Sequence, residues 1–262
     1  MIKKAIIPVA GRGTRMLRVT NGKSKEMLPV GGRPALSWIV EEAVLAGIEE
    51  ILLVTSRDKK EIPLYFSNVE EPKTYDQGYT YPYDCRGKRV QIGYLYQERA
   101  LGSGNAVSCG EEFAEGEAVA VLFGDDIMVS DEPVTAQLNE VYLRNRVAVV
   151  GVQTMPEEVV RSCASVIPLD GEWVSAIVEK PTGELTSHLA SLGRFVASPE
   201  VFAALREQET RNGEIWLTDA LNILAKKGKV CYCNFEGIRY DVGSPDGYQR
   251  AISELNSHGY DS

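Results

Sequence analysis

The chain has 262 residues, 44% apolar and 25% charged, with a net charge of −9 at pH 7; that is room for one large α/β domain or two small ones, with a sizeable core, and it excludes a disordered chain. The acidic balance excludes a nucleic-acid-binding surface, which needs a basic footprint, but leaves room for a local basic pocket. No apolar run approaches the roughly 18 residues of a membrane span, and Pro8 with Gly11-Arg12-Gly13 cuts the first apolar stretch too short for a signal peptide, so no membrane contact and a cytoplasmic location are expected.

In chain order, Lys4 to Val9 reads as a buried strand followed at once by a glycine loop. Leu36 to Ala46 carries apolar residues at helical spacing, with Gly47 as its stop, and Glu50 to Thr55 is a second buried strand. This order, with continuously apolar strands, predicts a parallel sheet covered by helices. Residues 56–88, rich in Pro, Tyr, Gly and charge, read as an irregular excursion or lid. Strands are expected at Val90 to Tyr96, Ala118 to Phe123 and Val147 to Val152, with helices at Asn105 to Phe113 and Thr135 to Arg144. Shorter, partly alternating strands follow at Ala164 to Pro168, Trp173 to Glu179 and Leu192 to Ala197. Helices at Pro199 to Leu205 and Leu217 to Lys226, a strand at Val230 to Glu236 and a helix at Asp246 to His258 complete the chain. With no repeat or flexible linker, one mixed α/β domain is expected, residues 1–150 forming a nucleotide half and 151–262 a second-substrate half. The five cysteines (85, 109, 163, 231, 233) lack CxxC spacing, and neither His188 nor His258 lies near Cys231-x-Cys233, so buried free thiols are expected rather than zinc.

Two segments carry chemistry. Ala10-Gly11-Arg12-Gly13-Thr14-Arg15 follows the first strand directly; its glycines let the backbone turn sharply and approach phosphate oxygens, although alone it could be a tight turn that binds nothing. Arg15 stands where the dinucleotide fingerprint needs a third small residue, and the glycine-to-lysine spacing of a P-loop is absent. Ten residues on, Lys23-Ser24-Lys25-Glu26-Met27-Leu28-Pro29 alone would be a solvated charge cluster; beside the glycine loop, Lys25 becomes a candidate point charge for a triphosphate.

The stretch Pro8 to Pro29 resembles the opening of the bacterial UTP–glucose-1-phosphate uridylyltransferases, within the sugar-1-phosphate nucleotidyltransferases. Six further segments keep the family's order: Leu101-Gly102-Ser103-Gly104-Asn105-Ala106 preceded by Gln97, Phe123 to Asp126, Val178 to Pro181, Gly193 to Val196, Gly213 to Asp219 and Tyr240 to Ser244. The resemblance implies a Rossmann-like α/β fold, a mixed and mostly parallel central sheet flanked by helices as in glycosyltransferase-A folds. It implies UTP and a hexose 1-phosphate as substrates, Mg²⁺ as cofactor, and a dimer or tetramer. It places Gly11, Gly13 and Thr14 around the triphosphate, with Arg15 and Lys25 as catalytic cations and Mg²⁺ on Asp125 and Asp241. Uracil would meet Ala10, Gly11, Glu26, Gln97 and Gly102, and the sugar phosphate Glu179, Lys180 and Gly193.

Four departures bear on the sugar: Arg18 replaces a proline, Cys163-Ala164-Ser165-Val166 stands where Tyr-Gly-Val is usual, and Asn105 and Trp216 replace histidine and glutamine. Ser165 would add bulk or a hydroxyl where glycine's backbone nears the sugar. None removes a phosphate or metal ligand. The alternatives are the same chemistry with another pair, such as dTTP and glucose 1-phosphate, or a catalytically silent nucleotide-sugar sensor, which should have lost Lys25, Asp125 or Asp241.

Overall fold

Lys4–Pro8 forms β1 in the computed structural model, which describes residues 1–256. It is followed by α1 (Leu17–Thr20), the two-residue strands β2 (Pro29–Val30) and β3 (Arg33–Pro34), α2 (Ala35–Leu45) and β4 (Glu50–Thr55). Next come α3 (Glu61–Ser67), β5 (Tyr81–Cys85), β6 (Lys88–Tyr96), α4 (Ser103–Ser108), α5 (Glu111–Ala114), β7 (Val119–Leu122) and β8 (Asp126–Val129). The rest runs α6 (Val134–Asn145), β9 (Ala148–Thr154), α7 (Glu157–Ser162), β10 (Ala164–Pro168), β11 (Val174–Glu179) and β12 (Leu189–Ala197). It ends with α8 (Pro199–Glu207), α9 (Leu217–Ala225), β13 (Val230–Asn234), β14 (Ile238–Asp241) and α10 (Pro245–Leu255).

The main sheet has the order β11-β10-β12-β7-β1-β4-β6-β5, with β9 paired to β12 and β13 to β9. Its centre, β7-β1-β4-β6, is parallel, and antiparallel strands flank it, which is the mixed sheet expected. Continuous apolar strands are explained by cover on both faces. Along β4, Ile51 and Leu53 join the core packed against α2, α6 and α10, whereas Leu52 and Val54 join the core under α4, α5, α8 and α9. No helix among the described residues is long and apolar enough to cross a membrane.

Several expectations change. Residues 56–88 are not wholly irregular: they contain α3 and the edge strand β5, whose Pro82 and α3's Pro63 masked the pattern. The helix expected over Asn105 to Phe113 breaks into α4 and α5 at Gly110, where a Cβ would come within 2.5 Å of the Ile6 side chain. The small β8–β14 ladder was not foreseen as a pair, and it sets Asp126 opposite Asp241. Cys231 and Cys233 are buried free thiols in β13, as expected. The expected helix end at His258 lies outside the described residues.

Candidate active site

The glycine loop leaves the carboxyl end of β1, at the crevice where open α/β sheets collect ligands. Gly13 has left-handed backbone angles (φ 59°, ψ 34°), and Met16 N–H closes the following turn on Gly13 O at 2.8 Å. Lys25 lies beneath it: a Cβ on Gly13 would be 3.3 Å from Lys25 Cδ. The Lys25 ammonium is ion-paired with Asp125. Burial works most strongly against the charge on each, but their pairing, helped by Glu26 near Lys25 and by Arg239 and Arg15 near Asp125, outweighs it, so Lys25 titrates above an ordinary lysine and Asp125 below an ordinary aspartate.

Asp125 follows β7 and Asp241 ends β14, and the two carboxylates converge over Gly243. A Cβ there would lie 2.5 Å from Asp125 Oδ2 and 3.0 Å from Asp241 Oδ1, so glycine leaves the gap between them open. Asp126, next in sequence, points elsewhere: it is buried and accepts from Arg239 Nε at 2.7 Å and Nη2 at 2.6 Å. Burial pushes its carboxyl up to about 6 against the pull of Arg239, and Asp125 and Asp241 push the same way as burial. Two hard carboxylates flanking an open gap suit Mg²⁺, which takes few protein ligands and completes its shell with water and phosphate oxygens; no group of three or more metal-type side chains occurs among the described residues.

On the far side, Glu179 ends β11 and its Oε2 accepts from the Thr218 hydroxyl at 2.8 Å. Burial raises the Glu179 carboxyl, with Thr218 opposing. Lys180 adopts φ 46°, donates its N–H to Cys163 O at 2.8 Å, and rests its ammonium 4.4 Å from the centre of the Trp216 ring. Trp216 thus stands between two clefts. One, of about 570 Å³, is lined by Gly11, Gly13, Gln97, Gly102 and Asp125; the other, of about 220 Å³, by Arg15, Asp125, Glu179, Lys180 and Asp241. The residues expected from both halves of the chain therefore meet at Asp125. Ser165 does not intrude, because its hydroxyl is taken by Ser187 O at 2.8 Å. Gly193 (φ 62°) lines the smaller cleft, but a Cβ there would land on the Asp126 carboxylate, so that contact is what requires glycine.

At the opposite end, Gln97 donates through Nε2 to Asn105 Oδ1 at 2.7 Å and to Gly102 O at 3.3 Å, which turns its carbonyl oxygen into an available acceptor. Asn105 therefore orients Gln97. Gly102 has φ 92°, and a Cβ would sit 2.7 Å from Ile215 O. Glu26 lines the larger cleft yet is only 2% exposed, with Oε2 2.8 Å from Lys59 Nζ. Burial raises its carboxyl while Lys59 opposes. Sequence reasoning missed Lys59 and Arg239: Lys59 sits in a charged turn that reads as a solvated face, and only adjacency to Tyr240-Asp241 marked Arg239.

The fold and site can be set beside known proteins. The family model described as "Nucleotidyl transferase" matches residues 4–258. The chain is 41% identical over 258 residues to the UTP--glucose-1-phosphate uridylyltransferase of Bacillus subtilis (strain 168), covering 94% of this chain and 88% of that one. A solved UDP-glucose pyrophosphorylase complexed with UDP-glucose superposes with a TM-score of 0.85 at 31% identity, over 98% of this chain and 100% of that one. The UTP-bound enzyme of Acinetobacter baumannii gives 0.81 at 28% identity, over 98% and 97% of the two chains.

Proposed function

We propose, for a chain that belongs to the nucleotidyl transferase family, the reaction that two clefts meeting at one carboxylate support best. The protein is a UTP–glucose-1-phosphate uridylyltransferase: a phosphate oxygen of glucose 1-phosphate attacks the α-phosphorus of UTP, the bond to the β-phosphate breaks, and UDP-glucose and pyrophosphate form. The observation that carries this reading is the sharing of Asp125 and Trp216 by the glycine-loop cleft and the Glu179–Lys180 cleft. The nucleophile is already an anion, so no general base is needed, and the protein's work is positioning and charge neutralisation.

In this reading residues 1–150 hold UTP and 151–262 the sugar phosphate. Gly11, Gly13 and Thr14 wrap the triphosphate, Arg15 neutralises the departing pyrophosphate, and Lys25, held charged beside Asp125, steadies the α-phosphate. Uracil N3–H finds its acceptor in the Glu26 carboxylate, with the Gln97 carbonyl oxygen, Ala10 and Gly102 about the base. Glu179 accepts from sugar hydroxyls and Lys180 leaves the Trp216 face to pair with the sugar phosphate. Asp125 and Asp241 hold Mg²⁺, which when bound lowers the repulsion between the two phosphates. Five free cysteines suit a reducing cytoplasm, where nucleoside triphosphates are available.

The decisive measurement is pyrophosphate release across UTP, dTTP, CTP and ATP with several sugar 1-phosphates. UTP with glucose 1-phosphate is expected to give the highest kcat/KM; a tenfold preference for dTTP would overturn the base assignment. A second result is expected of Gly243→Ala. The added methyl group must part Asp125 from Asp241, so the Mg²⁺ concentration for half-maximal activity rises about tenfold or more, as for other changes next to metal ligands. An unchanged Mg²⁺ requirement would take the metal away from this pair.

A further inference from the structure

The geometry points to Lys59 as a positioning residue for both the phosphate loop and the base-reading carboxylate, a role that rests on the reaction proposed above. Lys59 lies in the turn between β4 and α3, far from the glycine loop in sequence, and is nearly buried. Its ammonium makes three contacts: Val9 O at 2.6 Å, Gly11 O at 2.8 Å and Glu26 Oε2 at 2.8 Å. An ammonium has three donors and no acceptor, so this set uses all of them.

The consequence for the loop follows from peptide geometry. In a trans peptide the C=O and the next N–H point in opposite directions. With the Val9 and Gly11 carbonyls drawn onto Lys59, the Ala10 and Arg12 N–H groups face away from it, and neither donates to another group among the described residues. Two carbonyl oxygens that would repel a phosphate are thus turned back, and two donors are left presented to the bound nucleotide, Ala10 beside the base and Arg12 on the phosphate loop. The third contact holds Glu26. Lys59 pairs with this deeply buried carboxylate, tying it in place and opposing, with Lys25, the upward shift that burial imposes on it. One neighbouring contact belongs to the same device: Glu61 Oε1 accepts from Ser24 N–H at 3.0 Å and from its hydroxyl at 2.5 Å, so the β4–α3 turn and the start of α3 also fix the chain just before Lys25.

The test separates loop from base. Calorimetry with tripolyphosphate, which has no base, reads the loop; UTP against CTP reads Glu26, because cytosine lacks the N3–H that a carboxylate accepts. Lys59→Met is expected to bind tripolyphosphate about tenfold more weakly and to lose most of the UTP-over-CTP preference. Glu26→Gln is expected to lose the preference and keep tripolyphosphate binding. Should Lys59→Met fail to fold because Glu26 is left unpaired, Glu26→Gln/Lys59→Met leaves no buried charge alone, and it is expected to bind tripolyphosphate about tenfold more weakly than Glu26→Gln. Equal tripolyphosphate affinity in those last two variants would overturn the loop role, and an undiminished UTP-over-CTP preference in Lys59→Met would overturn the role in base reading. Failure of the wild-type protein to bind UTP would instead sink the proposed reaction, while the tripolyphosphate comparison would still judge Lys59.

Discussion

Asp125→Asn and Asp241→Asn are each expected to lower kcat by about 10²-fold or more, and the double variant to be little worse than either, because in the proposed reaction both hold one ion and such ligands act as a unit. Such a loss corresponds to about 2.7 kcal/mol of transition-state stabilisation. The two single variants nevertheless differ in one measurable way. Asp125 also pairs with Lys25 and is what most raises the lysine above its ordinary range, against burial. Removing that carboxylate lowers the pKa of a buried ammonium, so Asp125→Asn loses its residual activity at a lower pH than Asp241→Asn. The pair is read from kcat against pH at saturating substrates. Full activity in either single variant would remove that residue from the metal site, and coincident alkaline limbs would show that Asp125 does not sustain the charge on Lys25.

The second large effect falls on stability and comes from Arg194, only 1% exposed. Its guanidinium donates to both oxygens of the buried Glu42 carboxylate, at 2.6 to 3.1 Å, and also to Gly193 O at 3.1 Å and Asp126 O at 2.7 Å. Arg194→Met leaves a carboxylate unpaired in the core, and breaking a buried pair in this way costs about 3–5 kcal/mol. The loss appears as a lower urea midpoint with an unchanged m-value. Arg194→Met/Glu42→Leu recovers part of it but not all, since Glu42 Oε1 also accepts from Thr135 N–H and its hydroxyl. A single variant within 1 kcal/mol of wild type would mean that water reaches Glu42 and satisfies it. Because Arg194 also holds the Asp126 carbonyl, the same variant should loosen the strand that sets Asp126 opposite Asp241.

The sequence by itself determined the parts of this protein that depend on near neighbours. Glu50–Thr55 and Ala164–Pro168 were legible to the residue, because a short apolar run bounded by polar or turn residues has few other ways to leave water. The glycine loop was legible for the same reason: positive φ at Gly13 and a basic residue two positions on are local requirements. The motif order was enough to nominate Lys25, Asp125, Asp241, Glu179 and Lys180, residues that the structure brings to two adjoining clefts.

Only the tertiary structure decided how these groups divide the work. Asp125 and Asp126 are adjacent and chemically identical, yet one faces Lys25 and Gly243 while the other is buried on Arg239, because strand β8 pairs with β14 in a register that no local pattern specifies. Lys59 reads as a solvated lysine, since burying an ammonium is costly; three acceptors, two at the glycine loop and one on Glu26, make it tolerable, and only folding brings them to Lys59. Ser165 marked a change in the proposed sugar site, but its hydroxyl is taken up by Ser187, and Trp216, carrying Lys180 on its face, lines both clefts. Hydrophobic periodicity reports what each segment buries, whereas charge pairing depends on which segments meet.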